Sequence, residues 1–369
     1  MSEQLLRVGI TQGDPNGIGW EVILKALADP RMTEICTPVL YGSAAAATYY
    51  QNSLSEAEPL HLNRIVSAHE ARRGRVNIVV TSEITPTPGK ACAEGGKAAV
   101  EALKAAVHDL KEGRLDALVT APFDKEMVQG EEFRHTGHTE FFGAEFAGEP
   151  MMIMCSERLK VGLVTKHIPV SQISKNITRE KIVADLKALR MALIQDFGVV
   201  EPKIAVMALN PHAGDGGLLG EEEQTIIQPA IVEAFEAGVL AFGPFAADGL
   251  FAGGGYTKYD GILAMYHDQG LAPFKSLSPD GVNFTASLPV VRTSPAHGTA
   301  FDIAGQGKAD AQSMRNAIYS AIDIVRCRRA YQAWGENPLP RAERERERER
   351  PHREPSGKGA PKMTEEQEE

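Results

Sequence analysis

Short apolar runs alternate with longer amphipathic stretches along most of this chain, and that alternation limits the possible folds more than any other feature. "RVGIT" leads through the glycine-rich "QGDPNGIG" into a segment where Val22, Ile23, Ala26 and Leu27 recur at helical spacing. "TPVLYG" precedes an alanine-rich helix, "RVNIVV" follows, and "GGKAAVEALKAAVHDLKEG" predicts an amphipathic helix ending at Gly113, before the buried strand "DALVTAP". "MMIMCSERLKVGLVTKHIPV" predicts a hairpin turning at Ser156-Glu157-Arg158. A helix over 178–197, the strand "KIAVMAL", the loop "NPHAGDGG", a helix over 221–237 and the strand "DGILAMY" continue the pattern. Strands that alternate with helices specify an α/β protein with a largely parallel sheet.

At 369 residues the chain has room for roughly two such units. No stretch of about 18 or more uncharged apolar residues occurs. The N-terminus "MSEQLLRVGI" lacks the basic and apolar regions of a secretion signal, so no membrane partner and a cytoplasmic setting are expected. Cys36, Cys92, Cys155 and Cys327 lie far apart without C-x-x-C spacing, which predicts reduced, mostly buried thiols. The formal charge of −10 argues against nucleic acid as a partner, because phosphate neutralisation needs a basic surface. Small anionic substrates need only a local cluster of donors. From residue 337 onward, "RAERERERERPHREP" and its neighbours hold almost nothing apolar to offset ordering entropy, so 337–369 is expected to be a disordered charged tail.

Three histidines share one setting. His167 in "GLVTKHIPV", His212 in "ALNPHAGDGG" and His267 in "LAMYHDQG" each follow an apolar strand and precede a loop. In a parallel sheet all three can lie along the same carboxyl-end rim, where ligand crevices form. Converging imidazoles that leave open positions make a divalent-metal site. Any one of them alone is more commonly a hydrogen-bonded rim residue; the repeated setting singles out the set. Asp248 in "FAADGLF" and Asp268 are candidate carboxylates for orienting a ligating ring.

Anion handling is a second theme. His138 and Thr139 in "RHTGHTEFF", Lys275, Asn283 in "GVNFT" and Arg292 in "PVVRTS" are donors beside apolar strands, suited together to a phosphate plus a carboxylate. Neither G-x-G-x-x-G nor a P-loop occurs. Two other glycine-rich stretches stand out, "GDPNGIGWE" and "SPAHGTAFDIAGQGKAD", the latter after the expected strand "LPVVRT".

"QGDPNGIG", "TGHTEFF", "NPHAGDGG", "YHDQGL" and "GVNFTASLPVVRTSPAHGTAFDIAGQGKAD" occur in this order across almost the whole chain up to the tail. Together they strongly resemble the 4-hydroxythreonine-4-phosphate dehydrogenases of vitamin B6 biosynthesis. The last segment also resembles the adenosine-binding loop of isocitrate and isopropylmalate dehydrogenases, which hold NAD without the usual fingerprint. The resemblance implies a two-domain isocitrate/isopropylmalate dehydrogenase-like fold with a cleft between domains. Residues 1–128 together with 276–336 would form one domain, and 129–275 the other. His167, His212 and His267 would then ligate a divalent metal, zinc before cobalt, magnesium or manganese, in a homodimer whose partner subunit donates one histidine. Implied substrate contacts are His138, Thr139, Lys275, Asn283 and Arg292, with a cofactor loop around Gly298, Thr299 and Asp302 for NAD, or NADP in its place.

The implied reaction oxidises 4-phosphooxy-L-threonine at C3 and decarboxylates it to 3-amino-2-oxopropyl phosphate. The proton acceptor would be Lys275 with a depressed pKa, or a carboxylate such as Asp248. A related subfamily oxidises 4-phospho-D-threonate or 4-phospho-D-erythronate and is the main alternative; a metal-dependent hydrolase and a non-catalytic phosphate-sugar sensor are remoter ones. Asn16 and Trp20 depart from the Ala and Pro of many family members.

Overall fold

A computed structural model describes residues 5–54, 60–131 and 133–336. The expected disordered tail, 337–369, lies outside the described residues. The strands are β1 (Leu6–Thr11), β2 (Cys36–Gly42), β3 (Leu62–Ile65), β4 (Val76–Val80), β5 (Ala117–Thr120) and β6 (Met151–Cys155), then β7 (Lys160–Leu163), β8 (Lys203–Met207), β9 (Leu240–Phe245), β10 (Gly261–Ala264), β11 (Val282–Ala286) and β12 (Arg292–Pro295). Among the described residues they form one sheet in the order β3-β4-β2-β1-β5-β12-β11-β6-β7-β10-β8-β9.

Most neighbours are parallel, as the helix-strand alternation requires. Every residue of β2, β5 and β10 is buried, because helices cover both faces of a parallel sheet. The predicted hairpin is present: β6 and β7 pair antiparallel, and Ser156 N donates to Leu159 O at 2.8 Å across the turn. β11 joins β12 and β6 antiparallel, so it links the strands of the two halves in the middle of the sheet.

Local chemistry explains the main helices. Helix Ala93–Lys111 buries one stripe and is followed by Gly113 at φ +66°, as expected from its periodicity. Helix Arg179–Gln195 starts where Thr178 Oγ1 accepts from Lys181 N at 3.2 Å. The helix expected over 221–237 begins as a wide π-type turn, Glu223–Ile227, before Gln228–Glu236. The long helix Gln312–Glu336 packs across β12, β5 and β11, burying Met314, Ile318 and Ala321. Fully burying a side chain such as Ile318 or Phe284 contributes about 2 kcal/mol. None of the helices among the described residues is long and apolar enough to cross a membrane.

Three expectations need correction. His267 does not precede a loop: it is the first residue of helix His267–Leu277, which follows the extended Tyr266 and contains Pro273. The stretch "LPVVRT" is not a strand throughout, since β12 starts only at Arg292. The antiparallel reversal from β11 uses Ser287 to Val291, with Ser287 at φ +64°. Of the four free cysteines, Cys36 and Cys155 are buried but Cys92 and Cys327 are only half-buried.

Candidate active site

β7, β10 and β8 are adjacent and parallel, so the segments leaving their carboxyl ends emerge side by side. Pairing of the first two continues past the strands: Val164 N donates to Ala264 O at 2.9 Å and Thr165 N to Met265 O at 3.1 Å. His167 and His267 follow these paired residues by two positions each. Gln269 secures the turn, accepting from Met265 N at 2.8 Å and donating to Ala208 O at the end of β8 at 2.6 Å.

Both rings open onto a cavity of about 230 Å3 that is also lined by His138, Thr139, Lys275, Asn283 and Arg292, all five predicted substrate contacts. Strand register explains why. Arg292, Thr285 and Met152 are directly opposite one another across β12, β11 and β6, and Ser294, Asn283 and Met154 form the next rung on the same face. Gly298 reaches the cavity, whereas Thr299 and Asp302 lie beyond its lining.

Arg292 is 1% exposed. Its Nε and Nη2 donate to Thr120 Oγ1, its Nη1 to Thr285 Oγ1 at 3.1 Å, and its guanidinium lies 5.7 Å from the Phe142 ring centre. No carboxylate makes an ion pair with it among the described residues. Burial pushes its pKa down to about 9, against the pull of the Glu140 charge. A buried cation held only by hydroxyls and a ring face can receive an anion. His138 stacks on Phe123 at 3.9 Å, and burial, helped by the Arg292 and Lys125 charges, drives its pKa well below 6.5. It is therefore a neutral donor or acceptor at pH 7.

The two rings could hold a cation between them. His267 Nδ1 meets Asp268 Oδ1 at 2.6 Å, and His167 Nδ1 is 3.9 Å from Glu140 Oε1. The imidazole beside it, more than any other group, holds the Glu140 carboxyl at about 2 despite its burial. With each Nδ1 turned to a carboxylate, the Nε2 atoms would be the ones to meet a metal, the usual outer shell of a histidine-bound ion. The ring centres are 5.6 Å apart. Two imidazoles on one tetrahedral ion with metal–nitrogen bonds of about 2.0–2.1 Å stand roughly 5–6 Å apart, so the donor set fits.

His212 stands elsewhere. It is exposed and, with Asp248, Tyr266 and Gln269, lines a separate recess of about 480 Å3. No group of three or more His, Cys, Asp or Glu side chains in the described chain could hold a metal. One chain thus pairs two of the three predicted histidines and turns the third outward. Asp248 accompanies His212 rather than Lys275, and its Oδ1 accepts from Gly249 N at 2.8 Å. The His212 turn is unusual: His212, Ala213, Gly214, Asp215 and Gly216 all have φ between 43° and 78°. Buried Glu223 holds its entry, Oε1 accepting from Leu209 N and Asn210 N at 2.8 Å each and Oε2 from Asn210 Nδ2 at 3.0 Å.

Sequence reasoning missed Thr120, Lys125, Glu140 and His297, which also line the cavity. Glu140 lies inside a motif already singled out, one residue after Thr139; Thr120 and Lys125 carry no local signal. Asn283 Oδ1, Glu140 Oε2 and His297 Nε2 are buried there without hydrogen-bond partners.

Comparison with known proteins adds to this geometry. The profile of a family described as pyridoxal phosphate biosynthetic protein PdxA matches residues 34–321. A 4-hydroxythreonine-4-phosphate dehydrogenase of Bacteroides thetaiotaomicron is 50% identical over 344 residues, which are 92% of this chain and 94% of that protein. A Symbiobacterium thermophilum protein with the provisional name D-threonate 4-phosphate dehydrogenase is 37% identical over 84% of this chain and 94% of its own length. The crystal structure of a 4-hydroxythreonine-4-phosphate dehydrogenase from Klebsiella pneumoniae aligns with a TM-score of 0.76 at 34% identity, covering 88% of this chain and 99% of that one.

Proposed function

The chain belongs to the pyridoxal phosphate biosynthetic protein PdxA family, and from that premise we propose that it oxidises 4-phosphooxy-L-threonine at C3 with NAD. The β-keto acid then loses carbon dioxide to leave 3-amino-2-oxopropyl phosphate, in the formation of pyridoxal phosphate. The observation that carries this reading is the buried, carboxylate-free Arg292 in the same cavity as the His167–His267 pair.

Each chain residue has a task that its surroundings support. Arg292 neutralises the phosphate, for which its planar fork is suited. Neutral His138 and the Thr139 hydroxyl complete the anion's hydrogen bonds. Asn283, whose Oδ1 lacks a partner, accepts from the substrate's ammonium or hydroxyl. A divalent ion held by His167, His267 and the partner subunit's His212, zinc before cobalt, magnesium or manganese, would supply Lewis acidity at the C3 oxygen for alcohol oxidation and for loss of carbon dioxide. Gly298, Thr299 and Asp302 would hold a nicotinamide dinucleotide, which would supply the hydride acceptor. Of the two expected proton acceptors, Lys275 lines this cavity and Asp248 does not, so Lys275, as the neutral amine, would take the C3 hydroxyl proton. The working unit is a homodimer, since the outward His212 is useful only to a second copy.

The similarity to the Symbiobacterium protein keeps 4-phospho-D-threonate as a second reading. NADH formation by metal-stripped and metal-restored protein should be compared with both substrates. A higher kcat/KM for 4-phosphooxy-L-threonine, dependent on restored metal, is expected; a preference for the phosphothreonate would move the chain to the sugar-acid branch, and no NADH with either would refute the dehydrogenase reading.

A further inference from the structure

The motif "QGDPNGIGWE" has no part in the reaction as described, yet its contacts are concentrated on one target. Helix Gly19–Leu27, with the two residues that precede it, touches the glycine-rich loop after β12 at both of that loop's ends. At the first, Ile18 N donates to Thr299 O at 2.9 Å. A Cβ on Gly17 would lie 2.7 Å from that same oxygen, so only glycine lets the two segments approach this closely.

The second contact is ionic. Lys25 Nζ has three protons and three acceptors: Gly307 O at 2.7 Å, Ala309 O at 2.7 Å and Glu21 Oε1 at 2.9 Å. Glu21, fully buried, accepts a further bond from Ala309 N at 2.7 Å through the same oxygen. Arg315 Nη2 donates to Lys25 O at 3.0 Å, joining the long C-terminal helix to the clamp. Among the described residues the loop has no strand partner between these ends. It turns through Ala300 at φ +42°, a 3₁₀ turn at Phe301–Ile303, and Gly305 and Gly307 at φ +73° and +68°. Such a loop has many alternative shapes unless its ends are held.

We infer that helix Gly19–Leu27 is a clamp that pre-orders residues 299–309 for the dinucleotide, with Glu21 and Lys25 as its positioning residues. The inference rests on the reading that this loop holds the cofactor. Neither side chain touches the cavity that receives the phosphorylated substrate. The clamp therefore acts on one ligand and leaves the other alone, which a general loss of stability would not do.

Lys25→Met tests this, read by NADH fluorescence titration, by a separate titration with 4-phosphooxy-L-threonine, and by hydrogen exchange over 298–310. If the competent loop population falls to about a tenth, NADH affinity drops roughly tenfold. Exchange in the loop should rise, substrate affinity should hold, and Lys25→Arg should restore NADH binding. Because Lys25→Met leaves the Glu21 carboxylate buried and unpaired, the double variant Glu21→Met/Lys25→Met is measured beside it. Wild-type NADH affinity in both variants, or an equal loss for NADH and substrate, would overturn the clamp. Asp302→Ala separates the two ideas: if it weakens NADH binding while the clamp variants do not, only the clamp falls. If it too leaves NADH affinity unchanged, the loop reading falls and the clamp with it.

Discussion

The imidazoles of His167 and His267 lie 5.6 Å apart, centre to centre, at the ends of two adjacent parallel strands, each with a carboxylate beside its Nδ1. Asp268 makes the closer contact, so Asp268→Ala should free the His267 ring to turn and weaken zinc binding by about 10- to 100-fold. Chelator competition measures this, and melting of the metal-stripped protein should be unchanged because Asp268 is exposed. Unaltered zinc affinity would mean that Asp268 does not orient a metal-bound His267 ring.

Arg292 gives a prediction with two signs. Arg292→Met removes the proposed phosphate receptor, and loss of a charge-assisted contact of ~2–3 kcal/mol should raise KM by roughly 30- to 150-fold. The same change removes a buried charge that no carboxylate pairs, so the ligand-free protein should melt at the same or a higher temperature. A lower melting temperature with unchanged KM would make Arg292 a structural residue.

His138 makes stability depend on pH. Its folded pKa lies well below 6.5, chiefly through burial and secondly through Arg292 and Lys125. The unfolded chain therefore takes up the proton first as pH falls. The contribution of the neutral ring is fully present above 6.5 and declines as pH drops below it toward the folded pKa. Urea unfolding between pH 8 and pH 5 should show a shallower acid-side decline in His138→Gln than in the parent. Equal slopes would count against burial of a neutral ring.

Glu223 governs the outward histidine. Non-glycine residues in left-handed backbone cost about 1–2 kcal/mol each, and the turn contains three, His212, Ala213 and Asp215. Glu223→Ala deletes the acceptor of Leu209 N and Asn210 N, so the turn should relax. Faster hydrogen exchange over 209–217 and about tenfold weaker zinc binding by the assembled protein are expected, by the population argument. Exchange that rises with no change in zinc affinity would show that His212 is not a ligand.

Much of this architecture was legible locally. Apolar runs, turn chemistry and helical spacing report what each segment buries, and burial within a segment depends on neighbours a few residues away. That is why β1, β2, β4, the β6–β7 hairpin and the helix Ala93–Lys111 were evident, and why motif residues such as His138, Asn283 and Arg292 could be named before their cavity was seen.

What the sequence alone determined, then, was an α/β chain with its donors grouped at strand ends. Tertiary structure decided which donors meet. Arg292 shares a rung with Thr285 and Met152 only because β11 runs antiparallel between two other strands, a register that no local pattern encodes. Three histidines in similar settings parted company because β7 and β10 keep pairing to within two residues of His167 and His267, while a carboxylate on Glu223, in the helical turn that follows, holds the entry to a turn of opposite hand that carries His212 outward. Side-chain direction follows backbone torsion, and here that torsion is set by long-range hydrogen bonds.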